Sequence, residues 1–208
     1  MLVREQNHRT KNNLQSVSDL LSLQIYSLSD PGAIEAMEES LLRVQAMTLV
    51  HRSLYQGEEL IYIGLQQYIP DLINMVLRAY RQENVKIYYE IDPMLLHTDY
   101  TISLGLIINE LTTNACKYAF PGHYSPELHV HCHADHDEIT FEFRDNGAGI
   151  AAELTQNKGF GLDLIRILSD RLKGKTGFSK WDGYAFFLSF KAEVKPVPTN
   201  FKEKLKVS

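Results

Sequence analysis

With 208 residues, 44% hydrophobic and 23% charged, the chain is long enough for one large domain or two small ones and carries too much apolar sequence for global disorder. A net charge of −5 argues against nucleic-acid binding through phosphate contacts, and two cysteines, Cys116 and Cys132, supply no disulfide framework and fit a reducing compartment. No apolar run reaches about 18 residues and no signal-peptide pattern is present, so we expect no membrane contact by these residues and a cytoplasmic setting, free or as the cytoplasmic part of a larger membrane-linked protein.

Residues 1–28 lack proline and glycine. Val3, Leu14, Val17, Leu21, Ile25 and Leu28 recur at helical spacing, with Leu20 at the border of the stripe. Ser29-Asp30-Pro31-Gly32 ends this helix. Asp30 caps a second one, with Pro31 at its first position and Ile34, Met37, Leu41, Val44, Met47 and Leu54 as its apolar set. The two helices make an αα-hairpin over residues 1–56, which buries too little alone and is expected to pair with a second copy in a four-helix bundle. Gln56-Gly57-Glu58-Glu59 begins a hinge, and residues 57–63 are the expected linker. A second domain, 64–192, follows. Helices are predicted at Leu65–Arg81, Thr98–Tyr118 and Leu162–Lys173. Strands are predicted at Lys86–Ile91, Glu127–His133, Glu138–Arg144, Thr176–Lys180 and Tyr184–Lys191. Helices and strands fall in runs, which predicts an α+β fold: a two-layer sandwich of one mixed sheet with helices on one face. Residues 193–208 are polar and lysine-rich and are expected to be a loose tail.

Three segments carry candidate chemistry. At about 100° per residue, Asn12, Gln15 and Asp19 fall within about 40° of His8, while Val17 lies about 180° away. His8 is thus central on a polar face, where a neutral imidazole is nucleophilic; an ordinary surface histidine has the same geometry. In the helix ending at Tyr118, Glu110, Asn114 and Lys117 project together. An amide oxygen suits magnesium, a lysine suits phosphate, and a carboxylate one turn before the asparagine suits a general base; a solvated helix face with an incidental ion pair is the plain alternative. Asp145-Asn146-Gly147-Ala148-Gly149 follows a strand, where an aspartate can accept a hydrogen bond from an exocyclic amine such as adenine N6 and the glycines admit close approach. Gly159-Phe160-Gly161-Leu162 then opens a helix whose amides suit phosphate. The nine residues Ile150–Lys158 between them make a short lid, with Lys158 near the phosphates. Neither a Rossmann fingerprint nor a P-loop is present.

Taken together, residues about 4–191 resemble the catalytic core of a bacterial sensor histidine kinase. The match is to the subfamily whose acceptor helix reads His-Arg-x-Lys-Asn-Asn-Leu-Gln, here His8–Gln15. The resemblance implies a dimerising hairpin with His8 as phosphoacceptor, followed by an ATP-binding domain of the type shared by histidine kinases, gyrase, Hsp90 and MutL. It implies that Asn114 coordinates Mg2+, Asp145 binds adenine, Lys117 contacts phosphate and Tyr118 packs near the base. Gly147, Gly149, Gly159 and Gly161 would shape the lid, with Lys158 and Leu162 beside it. The implied cofactors are ATP and Mg2+, and the implied partners are a second copy and a response-regulator receiver domain.

Arg9 stands where many relatives have an acidic residue after the acceptor, and Glu110 is the candidate to supply the base instead. Tyr184 replaces the threonine usual after the glycine at 183. A phosphotransfer scaffold with a degenerate ATP fold, or a serine kinase of the anti-sigma-factor type, are the alternatives; the intact Asn114 and Asp145 count against the first, and the hairpin is unexplained by the second. His129, His131, His133 and His136 with Cys132 form a further cluster. Three of these histidines share a strand face that could hold zinc or nickel, against a solvated strand face as the simpler reading. Tyr88, Tyr89 and Trp181 read as packing residues.

Overall fold

The computed structural model describes residues 2–53, 61–147, 160–180 and 183–197, with only the backbone described for residues 2–8. Helices α1 (Leu2–Ser27) and α2 (Pro31–Arg52) form the expected hairpin. Asp30 is extended (φ −78°, ψ 121°), and its Oδ2 accepts the Ala33 N–H at 2.7 Å, so the helix start is set by the residues that predicted it. In a single copy the α1 stripe is only partly covered. Leu14, Leu21, Ile25 and Leu28 are half-buried, while Val17, Leu20, Leu23 and Tyr26 are exposed. On α2 the buried apolar residues are Leu42, Ala46 and Val50, a face other than the predicted one. Ile34, Met37, Leu41, Val44 and Met47 are half-buried, and Leu54 lies outside the described residues. The reason is that α2 is contacted on two sides, by α1 and by the second domain.

The second domain runs β1 (Tyr62–Gly64), α3 (Leu65–Ala79), β2 (Lys86–Ile91), β3 (Met94–His97), α4 (Thr98–Asn114), a π-helical turn (Ala115–Ala119), β4 (Glu127–Asp135), β5 (Glu138–Asp145), α5 (Phe160–Arg171), β6 (Lys175–Lys180), β7 (Tyr184–Lys191) and β8 (Val194–Pro196). The main sheet has the order β2-β4-β5-β7-β6, parallel between β2 and β4 and antiparallel elsewhere. A small antiparallel sheet, β1-β3-β8, was not predicted. Two of its strands fall where a linker and a tail were expected: Tyr62 and Ile63 are in β1, and Val194–Pro196 is β8. Strands this short hold too few alternations to register as a period.

Burial alternates along β4 and β5 as half-buried strands require. Leu128, Val130 and Cys132 of β4 and Ile139, Phe141 and Phe143 of β5 join one core with Leu72 and Ile73 of α3, Ile107, Ile108 and Leu111 of α4, and Ile165 and Leu168 of α5. Helix α4 is buried nearly all round, because α2 packs on it as well. Within it, a Cβ on Gly105 would sit 1.9 Å from Oη of Tyr68, a ring that is fully buried. Helix propensity favours alanine over glycine by about 1 kcal/mol, but overpacking costs about 1–3 kcal/mol, and the rigid Tyr68 ring has nowhere to go. Gly105→Ala is therefore expected to lower stability by roughly 1–2 kcal/mol, read as a lower urea midpoint at unchanged slope.

Candidate nucleotide and phosphotransfer site

Three glycines bring the separated motifs into contact. A Cβ on Gly147 would meet Cβ of Ala119 at 2.3 Å and its Cα at 2.5 Å, so the turn after β5 lies directly on the end of the π-turn. A Cβ on Gly161 would stand 2.7 Å from Oε2 of Glu110, which puts the start of α5 against α4. A Cβ on Gly183 would fall 2.1 Å from the Asp145 carbonyl oxygen and 2.8 Å from N of Gly147. Side chains at these positions would drive the elements apart. The predicted helix to Tyr118 changes character at Ala115, where Phe120 N–H donates to the Ala115 carbonyl at 3.0 Å. Such π-turns are frequent at functional sites.

Asp145 ends β5 and is buried. Its Oδ1 accepts the Gly147 N–H at 3.0 Å. Burial pushes its pKa above the ordinary carboxylate value, and backbone hydrogen bonds from Gly147 and Tyr184, with the nearby His123, pull it part of the way back. An under-compensated acceptor in this position is suited to a ligand that donates an N–H. Asn146, which the sequence reading gave no role, pins the strand end. Its Oδ1 accepts the Glu127 N–H at 2.8 Å and its Nδ2 donates to the Ser125 carbonyl at 2.9 Å.

Glu110 and Lys117 are covered by α2 and do not form the solvated face of the plain alternative. Glu110 is 3% exposed and held by two bonds from Arg43 of α2, Nε to Oε1 at 2.8 Å and Nη2 to Oε2 at 3.0 Å, with Asn109 Nδ2 at 3.2 Å. Arg43 also donates to Oε2 of Glu39 at 3.1 Å, and its guanidinium lies 4.8 Å from the centroid of the Phe160 ring. Lys117 Nζ donates to Oε1 of Glu39 at 2.7 Å and pairs with Glu35. Burial works against the Arg43 and Lys117 charges, but the carboxylates outweigh it and raise both pKa values. Burial likewise opposes the Glu39 charge, and Lys117 and Arg43 outweigh it, holding Glu39 below its ordinary value. Glu110 and Lys117 both bond to α2, and their spacing in sequence carried no information about the helix that would lie across them.

Asn114, one turn after Glu110, is half-buried, and Tyr118 is exposed with Lys117 Nζ 5.8 Å from its ring centroid. Leu162 packs half-buried against the core. Gly149, Lys158 and Gly159 lie outside the described residues, as does the His8 side chain. The His8 backbone is in α1, and two turns on, along the polar face, Gln15 donates to Oδ1 of Asp19 at 3.0 Å and accepts from Nη2 of Arg52 at 3.3 Å. The donors fit a magnesium nucleotide. Asn114 offers an amide oxygen, and Asp145 a buried acceptor beside a turn whose glycine admits no side chain.

A histidine kinase family model matches residues 5–80, and the model of the histidine kinase-, DNA gyrase B- and HSP90-like ATPases matches residues 99–194. The sensor histidine kinase PdtaS of Mycobacterium tuberculosis is 30% identical over 184 residues, which cover 84% of this chain and 36% of the relative. The PdtaS of Mycolicibacterium smegmatis is 30% identical over 190 residues with the same coverage. The chain thus spans about a third of the length of these relatives. Among solved structures, the histidine kinase domain of the blue-light activated kinase EL346 of Erythrobacter litoralis superposes with a TM-score of 0.66 at 14% identity, covering 86% of this chain and 94% of that one. The mycobacterial sensor histidine kinase MprB superposes with a TM-score of 0.52 at 16% identity, over 65% of this chain and 99% of that one. No helix among the described residues is long and apolar enough to cross a membrane.

Proposed function

The chain belongs to the histidine kinases, and from this we propose that it is the core of a sensor kinase which phosphorylates its own His8 from Mg-ATP and passes the group to an aspartate of a response-regulator receiver domain. The observation that carries the reading is that the Asp145–Gly147 turn packs on Ala119 and Gly161 packs on Glu110, the two residues that flank the Asn114–Tyr118 segment, in a chain that also presents the His8 helix.

In this reading Asp145 accepts from the adenine amine, and Lys117 and the amides at the start of α5 face the phosphates. Asn114 would hold magnesium, which when bound neutralises charge on the phosphate oxygens. A neutral His8 ring nitrogen attacks the γ-phosphorus in line; the N–P bond forms as the bond from phosphorus to the β,γ-bridging oxygen breaks, ADP leaves, and the proton of the other ring nitrogen passes to the base. Lys117 and Glu110 are engaged by α2 in the arrangement described, which we read as a resting state. Catalysis then requires the Arg43–Glu110 and Lys117–Glu39 pairs to part, with the second domain swinging against the hairpin and Glu110 released to act as base. The exposed Val17, Leu20, Leu23 and Tyr26 of α1 suit a second copy, giving a homodimer with a four-helix bundle.

The test is incubation with γ-labelled ATP and Mg2+. The wild type should acquire acid-labile, base-stable label, and His8→Ala should acquire none. Acid-stable label that persists in His8→Ala would indicate a serine kinase instead, and absence of Mg2+-dependent ATP affinity would leave only a scaffold. Glu110→Gln phosphorylating at the wild-type rate would remove Glu110 as the base.

A further inference from the structure

The outer face of the main sheet, away from α3, α4 and α5, carries a cluster for which nucleotide chemistry has no use. His129, His131 and His133 alternate with the buried Leu128, Val130 and Cys132, so all three histidines project from this face. The parallel register sets Glu90 of β2 directly beside His131 of β4. Glu90, His131 and His133 each offer a ligand atom, and these atoms lie within 4.8 Å of one another. Around a tetrahedral ion with bonds of about 2.0–2.1 Å the donors stand about 3.3 Å apart, so modest side-chain rotation closes the site. The backbones that carry the donors are already fixed by the β2–β4 ladder.

Two carboxylates stand behind the rings. Oε2 of Glu142 is 3.4 Å from Nδ1 of His131, and Oδ1 of Asp92 is 3.3 Å from Nδ1 of His133. Asp92 is itself held, since its Oδ2 accepts the Ala134 N–H at 3.0 Å and its own N–H donates to the Cys132 carbonyl at 2.9 Å. A carboxylate at one ring nitrogen fixes the tautomer and leaves the other nitrogen as a metal donor, the arrangement that orients histidine ligands in metal sites. A hollow of about 330 Å3 adjoins the cluster, lined in part by Thr140, Lys175 and Ser189, with room for water at an open coordination position.

We propose that Glu90, His131 and His133 form a binding site for a borderline divalent transition metal of the zinc type, bridging β2 and β4 and separate from the magnesium of the nucleotide. Imidazole donors suit zinc, nickel or copper and not magnesium.

The test is calorimetric titration of the full chain with Zn2+ alone, without nucleotide and in a non-chelating buffer. One ion per chain is expected. His131→Ala and His133→Ala should each weaken binding by at least about tenfold, since loss of even an outer carboxylate from such sites costs roughly ten- to a hundredfold. Glu90→Gln should weaken it as well. His136→Ala, at the exposed β4–β5 turn, should bind as the wild type does. Mg2+ in excess should not compete. Both ring positions are partly exposed, so the alanine variants should keep the fold, checked by circular dichroism; His133→Gln replaces any that does not. Absence of zinc binding, zinc binding that survives both His131→Ala and His133→Ala, or an equal loss in His136→Ala would overturn the proposal.

Discussion

Arg43→Ala should lower the unfolding free energy by about 3–5 kcal/mol, the cost of removing one partner from a buried ion pair. Glu110 is 3% exposed, and both of its oxygens are taken by Arg43. Without the guanidinium, Asn109 is its one remaining hydrogen-bond partner among the described residues. Urea unfolding measures the loss, and the double variant Arg43→Ala/Glu110→Gln tests its cause. Because glutamine removes the stranded charge, the double variant should fall short of the sum of the single ones by about 0.5–3 kcal/mol. A loss below about 1 kcal/mol in Arg43→Ala, the range of exposed pairs, would mean that α2 simply lifts off and Glu110 rehydrates. The pH dependence has a definite sign. The lowered pKa of Glu39 contributes stability that is complete above the ordinary 4.5 and is lost as pH falls through the lowered value. The raised pKa of Lys117 contributes stability that is complete below the ordinary 10.5 and is lost as pH rises through the raised value. Docking of α2 should therefore be flat across neutral pH and weaken at both extremes.

Asp145→Asn should move two measurements in opposite directions. Burial raises the pKa of Asp145, so folding favours its protonated form and stability falls as pH rises from 3.8 through the raised value. At neutral pH a neutral amide of the same shape should leave stability unchanged or higher. ATP affinity should drop roughly ten- to a hundredfold, because a hydrogen bond to a charged acceptor is worth about 1.5–3 kcal/mol. Calorimetry with Mg-ATP and with Mg-inosine triphosphate, which lacks the exocyclic amine, isolates the contact. Wild type should prefer ATP strongly, and the variant should lose most of the preference. Equal loss for both nucleotides would assign Asp145 to backbone support of the Gly147 turn instead.

The long elements were legible because each carries its own pattern. β2 and β7 have the predicted bounds, and the Asp30 cap is where a carboxylate precedes Pro31. What escaped was non-local or too brief to repeat. β3 is a short apolar run, Met94-Leu95-Leu96, which defines a strand only once β1 and β8 flank it. The π-turn at Ala115 is a change of hydrogen-bond partner with no residue type of its own. Of the candidate site, the position of Asp145 at a strand end, followed by Gly147 in a turn, was readable from local sequence. The cover over Glu110 and Lys117 was not, since Arg43 is 67 residues from Glu110 and its helical spacing marks only Glu39 as a neighbour. The histidine face of β4 was visible as an alternation, whereas Glu90 joins it only through a parallel register.

Arg43 touches three things at once: Glu39 on its own helix, Glu110 on α4, and the Phe160 ring where α5 begins. If the nucleotide needs Glu110, Lys117 and that entry to α5, then α2 and ATP are ligands of one surface, and their affinities are tied by thermodynamic reciprocity. Apparent ATP affinity is the intrinsic affinity multiplied by the fraction of molecules with α2 released. A change in hairpin docking therefore needs no contact with the nucleotide to set its occupancy. A change of about 1.4 kcal/mol in hairpin docking becomes a tenfold change in apparent ATP affinity while the docked form predominates.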